Sequence, residues 1–139
     1  MTVSHRKVDM DLAGSTVALF GMEPRGRLLA SAALRSGVAL LDHADELGKL
    51  AAQAGNGMSR HLQSIIIVAC PGDDMSPVPA IYNRAIELHK LVTVIVINRS
   101  EHGVIEHGGA SGILQGSSDI IVITPDQTCL DHMLELAVA

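Results

Sequence analysis

The feature that most constrains this chain is a fivefold alternation of short apolar runs with helix-like segments. The runs read TVALF, VALL, SIIIVA, TVIVIN and DIIVIT, at residues 16–20, 38–41, 64–69, 93–98 and 119–124. The last three are dense in β-branched residues and show no alternation, which is typical of strands buried on both faces. Strands that alternate with helices predict an α/β fold, a three-layer α/β/α sandwich around a five-stranded parallel sheet of order 2-1-3-4-5 with right-handed crossovers.

The segments between the runs carry helix start and stop signals. Residues 24–37 begin with proline and end with glycine, as helix punctuation expects. A second helix is predicted to have Asp42 as its N-cap and to stop at Gly55, and a third to have Ser76 as its N-cap and Pro77 at its first position. A fourth helix, DQTCLDHMLELAVA, closes the sequence.

A single domain of this length must build its core almost entirely from aliphatic side chains. The chain has 139 residues, of which 47% are hydrophobic and 1% aromatic, and it has no tryptophan. Its mean hydropathy of +0.32 is high for a small domain, which has little interior in which to hide apolar surface. We therefore expect a homo-oligomer or a larger protein partner. Residues 1–14 are predicted to be an arm or short helix, and residues 15–139 the domain.

The net charge and the cysteine content limit which classes of partner and which cellular compartment we expect. The net charge of −5 argues against nucleic acid as the main partner. No apolar run approaches the ~20 residues of a membrane span, and the N-terminus lacks the apolar region of a signal peptide. Two cysteines without metal-type spacing indicate a reducing, cytoplasmic setting.

Two loops are predicted to face each other where the strand order reverses. The loop after strand 1 reads GMEPRGR, at residues 21–27, and the loop after strand 3 reads CPGDDMSP, at residues 70–77. Open α/β sheets bind ligands beyond the carboxyl ends of such strands. The candidate ligand-binding residues of these two loops are Gly21, Arg25, Gly26, Arg27, Gly72, Asp73, Asp74 and Ser76.

Arg25 and Arg27 lie in the predicted first turn of a helix, where the helix dipole disfavours cations. One compensating partner would be an anionic ligand, bound by the arginines and the helix N-terminal amides where Gly26 permits close backbone approach. The other would be an ion pair with Asp73 or Asp74 across the crevice, which is the partner that we favour. Either way, the loop after strand 3 is interpreted as a wall of the site.

Cys70 stands between a strand and a helix start, a position where a cysteine can have a lowered pKa and act as a nucleophile. Such sites also need donors to hold a phosphate, and here Asp73 and Asp74 follow, whose charges would repel both phosphate and thiolate. A phosphate-binding P-loop is disfavoured as well, because no lysine follows the glycine. Cys70 is therefore interpreted as a small buried residue at the end of a strand.

The loop at residues 98–118 is long for this fold class and holds two Glu-His dipeptides followed by GGASG. Its histidines could carry protons near neutral pH. Their five-residue separation is not a helix-face spacing, so no metal site is predicted. The candidates are His102, Glu106 and His107 for catalysis, and Gly109 and Ser111 for anion binding at the glycine cluster.

Two stretches resemble the sugar isomerase (SIS) domain. SIIIVACPGDDMSPVPAIYNRAIELHKLVTVIVIN resembles that family's third strand, phosphate loop, helix and fourth strand, and SSDIIVITPD resembles its final strand. The resemblance covers about Ser15 to Ala139 and implies a parallel α/β sandwich, phosphosugar binding by an isomerase or a sensing module, and oligomerisation. In the family the loop after strand 3 is rich in Ser and Thr. Here Gly72 matches that loop, and Gly21 matches the motif after strand 1.

Two functions remain open on this basis. The first is an α/β domain that binds a small anionic metabolite, including sugar phosphates, with or without catalysis and with no cofactor assigned. The second is a non-enzymatic structural or regulatory subunit of a homo- or hetero-oligomer. The arginines at a helix start and the long histidine-containing loop favour the first function, whereas the alanine-rich helices and the high hydropathy favour the second.

Overall fold

The computed structural model describes residues 17–53, 62–98, 113 and 116–138. They contain one sheet of five parallel strands, and its order β2-β1-β3-β4-β5 confirms the predicted topology. The predicted arm at residues 1–14 and the start of the domain at residue 15 lie outside the described residues. The strands are β1 (Val17–Gly21), β2 (Val38–Leu41), β3 (Ser64–Ala69), β4 (Val92–Ile97) and β5 (Ile120–Thr124).

Helices cover both faces of the sheet and complete the three layers. They are α1 (Arg25–Ala32), α2 (Asp45–Gln53), α3 (Val78–Glu87) and α4 (Thr128–Val138). Apolar side chains of α1 and α4 form one half of the core, and those of α2 and α3 form the other half on the opposite face. None of the described helices has the length and apolarity that crossing a membrane requires.

The inner strands are buried on both faces, as their unbroken aliphatic sequences predict. β1, β3 and β4 are almost completely buried, and the core is aliphatic apart from Phe20. The same prediction is wrong for β5, in which Ile120, Ile121 and Ile123 are exposed. β5 lies at one edge of the sheet and, among the described strands, pairs with β4 alone. β2 at the opposite edge is mostly buried, so neither apolar composition nor edge position decides burial by itself.

Two predicted N-caps are also wrong, because other groups take the amides at these helix starts. α3 begins at Val78 without a side-chain cap, and the amide of Ser76 donates to Asp74 Oδ1 at 3.0 Å. α2 begins at Asp45, and Glu46 Oε1 accepts hydrogen bonds from the amides of Asp42 and His43 at 2.6 and 2.9 Å. The carboxylate of Asp42 is instead directed to Arg27.

The first turn of α1 packs directly on the end of β3, and this contact requires two glycines. A Cβ atom on Gly26 would overlap the carbonyl oxygen of Val68 and would lie 3.0 Å from Ala69 Cα. A Cβ atom on Gly21 would overlap Arg27 Cα and would lie 2.6 Å from the carbonyl oxygen of Gly26. Because these neighbours are backbone atoms, they cannot move aside as a flexible side chain would.

We expect Gly26→Ala to lower the free energy of unfolding by about 2–3 kcal/mol, because helix and strand must separate to admit the methyl group. Gly48→Ala is the matched control, since nothing lies within 4 Å of its Cβ position on α2. There alanine should raise stability by about 0.5–1 kcal/mol through helix propensity. Urea unfolding followed by circular dichroism measures both changes. Equal stability of the two variants would contradict the packing argument.

Candidate functional site

The loops that follow β1 and β3 meet at the carboxyl edge of the sheet, as the predicted strand order requires. Backbone hydrogen bonds join them: the amide of Met22 donates to the Val68 carbonyl at 2.9 Å, and the amide of Asp74 donates to the Glu23 carbonyl at 2.8 Å. These contacts within the chain join the two loops at the crevice where open α/β sheets commonly bind ligands.

Asp73 is the central group of this junction. Its carboxylate is buried and accepts three backbone hydrogen bonds, from Arg25 N at 3.0 Å, Gly26 N at 2.7 Å and Cys70 N at 2.8 Å. Two of these amides belong to the first turn of α1, where donors would otherwise lack an acceptor and where the helix dipole favours a negative charge. Asp73 thus caps α1 from another loop and holds both loops in register.

This arrangement corrects the favoured sequence interpretation, in which Arg25 or Arg27 forms an ion pair with Asp73 or Asp74. The guanidinium of Arg27 pairs with Asp42, after β2. In the described part of the chain, the guanidinium of Arg25 forms no ion pair or hydrogen bond. The interpretation failed because a carboxylate at a helix start can bind the backbone amides in place of the side chains. The same amides were the predicted cradle for a ligand anion, and Asp73 fills them.

Asp74, the neighbouring carboxylate, is solvent-exposed and has a local role. The backbone amide of Ser76, and in addition the Ser76 hydroxyl, hold the pKa of Asp74 below its ordinary value. The stability that these hydrogen bonds contribute is present above the ordinary carboxyl pKa and is lost as the pH falls through the lowered value. Gly72, just before the pair of aspartates, has a φ of 90°, so a side chain there would strain the turn.

Two clefts border the start of α1, and each contains one of the two arginines. The first, which we name the Arg25 cleft, has a volume of about 500 Å³ and lies between α1 and the ends of β3 and β4. Its floor is buried and largely apolar, and Leu28 of α1 is 69% exposed at its rim. It is lined by Arg25, Leu28, Leu29, Cys70, Pro71, Ile97 and Asn98.

The second cleft, which we name the Arg27 cleft, has a volume of about 700 Å³ and a different electrostatic character. Arg27 lies there with the paired Asp42, and further carboxylates border the same space. An anion would therefore meet net negative charge. Within the described ranges, no three His, Cys, Asp or Glu side chains gather as a metal ion requires. The carboxylates of this cleft are those of Glu23, Asp42, Asp45 and Asp74.

The predicted site residues are thus only partly brought together. Gly21, Arg25, Gly26, Arg27, Asp73 and Asp74 lie around the start of α1, whereas His102, Glu106, His107, Gly109 and Ser111 lie outside the described residues.

The sequence reasoning missed Leu28, Leu29 and Ile97 as part of a cleft. Leu28 and Leu29 could have been predicted from the sequence, because residues three and four positions after Arg25 lie on the same side of the helix. The end of β4 borders the same space because β3 and β4 are adjacent in the sheet.

No protein-family model and no curated protein matches this chain. Among solved structures, it is similar to the crystal structure of a protein from Burkholderia pseudomallei described as pilus assembly-related. The two chains are 16% identical, with a TM-score of 0.44 over 91% of each chain.

We expect Asp73→Ala to lower the free energy of unfolding by about 2–3 kcal/mol, because three amides lose a charged acceptor. Asp74→Ala is the control: it removes an adjacent carboxylate that is exposed, so its effect should be clearly smaller. Asp73→Asn, which keeps an acceptor oxygen, should lie between wild type and Asp73→Ala. Chemical denaturation ranks the three variants, and similar losses for Asp73→Ala and Asp74→Ala would refute the role of Asp73.

Proposed function

We propose that this chain is a small-molecule-binding α/β domain whose ligand is an anion held in the Arg25 cleft. The observation that carries this proposal is the guanidinium of Arg25, which has no carboxylate partner among the described residues and stands beside an apolar cleft. Concave, mostly apolar sites with a few polar groups are typical of small-molecule binding. A guanidinium there is suited to a carboxylate or phosphate, which it can bind through two parallel hydrogen bonds.

The position of the cleft gives further support. Pro71 follows β3, and Asn98 follows β4, so the cleft lies at the carboxyl edge of the sheet, where α/β folds bind their ligands. Compared with the expected crevice between β1 and β3, it is displaced by one strand towards β4. At the expected position, the carboxylate of Asp73 occupies the amides at the start of α1.

The resemblance to the sugar isomerase domain adds phosphosugars to the candidate anions, as substrates or as regulatory ligands. In this proposal Arg25, rather than a loop of serines and threonines, supplies the anion-binding group. Acid–base roles of His102, Glu106 and His107 remain predictions. A cytoplasmic setting is also part of the proposal, and it is supported by Cys70 and Cys129, which are not joined by a disulfide.

A thermal-shift screen of phosphates, sugar phosphates and carboxylates should find anions that raise the melting temperature, because a ligand that binds only the folded state stabilises it. Arg25→Gln should abolish the shift. Arg84→Gln is the control, since this arginine lies on α3 and pairs with Asp45 and Glu87, away from the Arg25 cleft. It should keep the wild-type response.

Other outcomes of the screen would contradict either the proposed function or the proposed site. If no anion raises the melting temperature of the wild type, the proposed function is wrong. If Arg27→Gln abolishes the shift and Arg25→Gln does not, the ligand occupies the Arg27 cleft, and the proposed site is wrong.

A second candidate function is that of a subunit in a homo-oligomer, and β5 is the observation that favours it. Ile120 and Ile123 of this edge strand are 49% and 56% exposed. Natural edge strands are usually protected by charges, prolines or bulges, yet residues 120–124 read IIVIT and carry no charge. An uncharged, apolar strand edge is suited to pairing with another strand.

We propose a second copy of this chain as the partner of β5. If two copies of β5 pair in antiparallel fashion about Val122, Ile121 of each copy lies opposite Ile123 of the other, and no charged side chain intervenes. Such an interface is self-complementary, as twofold symmetry requires. It would also bury exposed apolar surface, which the high mean hydropathy of the chain led us to expect at an interface.

Multi-angle light scattering at micromolar concentration should give the wild type a mass above the 14.6 kDa of one chain. Ile123→Lys should reduce the mass to that of a monomer, because a buried lysine opposes strand pairing. Leu136→Lys is the matched control, since Leu136 of α4 is 78% exposed and lies away from β5. A monomeric wild type, or equal effects of the two variants, would contradict this interface.

A further inference from the structure

We propose that the ligand of the Arg25 cleft is an amphiphilic carboxylate, a molecule with an aliphatic body and one terminal carboxylate group. This inference rests on the proposed function and narrows the ligand from anions in general to one chemical class. It follows from three properties of the cleft: the nature of its walls, the number of groups that could bind an anion, and its volume.

The walls suit an aliphatic body better than a sugar. Leu28, Leu29, Pro71 and Ile97 present aliphatic surface to the cleft, and Leu28 is 69% exposed. Covering such surface with another apolar group is favourable in proportion to the area removed from water. A polyhydroxylated sugar in contact with the same walls would lose hydrogen bonds to water without replacement, which is costly.

Among the described residues that line the cleft, Arg25 is the one cation that could bind the charged end of a ligand. At the start of α1, the amides of Arg25 and Gly26 already donate to Asp73, so they do not add donors for a ligand. A single guanidinium matches a carboxylate, which accepts its two parallel hydrogen bonds and carries one charge. A phosphate dianion would have its second charge unmatched, and the carboxylate of Asp73, which accepts a hydrogen bond from the Arg25 amide, would oppose it.

The volume of the cleft, about 500 Å³, lies within the ~300–1,000 Å³ that is usual for small-molecule sites. Arg25 is exposed and the floor residue Ile97 is buried, so the cleft is charged at its outer side and apolar in its depth. This polarity predicts a bound orientation, in which the carboxylate lies near solvent at Arg25 and the chain extends towards Ile97.

Isothermal titration calorimetry with four probes separates the contributions of the aliphatic body and of the carboxylate to the binding free energy. Octanoate carries both the body and the charge, octanol the body alone, acetate the charge alone, and glucose 6-phosphate tests the sugar phosphates. Octanoate, used below its micellar concentration, should bind about tenfold or more tightly than any of the other three, because the loss of either part removes a favourable interaction.

Three variants test the location. Arg25→Gln should weaken octanoate binding by about tenfold or more, and Arg25→Lys should retain part of it, because lysine keeps the charge but not the paired donors. Leu28→Asn should also weaken octanoate binding, whereas Leu136→Asn, at a leucine of α4 that is 78% exposed, should not. In methyl-labelled protein, octanoate should shift the NMR signals of Leu28, Leu29 and Ile97.

The results distinguish a failure of the amphiphilic-carboxylate inference from a failure of the proposed function. If glucose 6-phosphate binds through Arg25 and octanoate does not, the amphiphilic carboxylate is excluded while the proposed function stands. If no probe binds, and the anion screen is also negative, both are excluded. If octanol binds as tightly as octanoate, or if Arg25→Gln leaves octanoate binding unchanged, the interaction is apolar adsorption and the inference is overturned.

Discussion

The hydrogen bonds from three backbone amides to the carboxylate of Asp73 are the interaction on which the rest of this junction depends. A buried carboxylate is costly unless its lost hydration is replaced, and amide donors from two different loops provide that replacement. In return, the first turn of α1 gains an acceptor and a favourable charge. The position at which an α/β sheet usually offers amides to a ligand is therefore used for the stability of the fold.

The placement of the two arginines follows from this anchored helix. Residues two positions apart on an α-helix point about 200° away from each other, because each residue turns the helix by ~100°. With Gly26 held against β3, Arg25 and Arg27 must therefore lie on different sides of the helix start. Arg27 meets Asp42 after β2, and Arg25 meets the ends of β3 and β4. Within one turn of α1, Arg27 is therefore paired, whereas Arg25 has no carboxylate partner among the described residues.

The sequence predicted those features that depend on local composition and on general rules of α/β topology. All five apolar runs are strands within a residue or so, and the strand order follows from the alternation of strands and helices. The exposure of Ile123 was missed, because the prediction of burial relied on the apolar composition of the run although the predicted order already placed β5 at the edge of the sheet. The meeting of the two loops was predictable, but the partner of Asp73 was not, since amides and guanidinium groups offer a carboxylate chemically similar donors.

Both clefts include residues of α1, yet they differ in electrostatic character. In the Arg27 cleft the cation is already paired and further carboxylates remain, so the local field is negative and repels anions. In the Arg25 cleft the guanidinium is the charged group of the lining, and the other side chains are mostly apolar. Under the proposed function, an anion would be repelled by the carboxylates of the Arg27 cleft, and in the Arg25 cleft it would meet a guanidinium that has no carboxylate partner among the described residues. Specificity between neighbouring sites then arises from the carboxylates as much as from Arg25 itself.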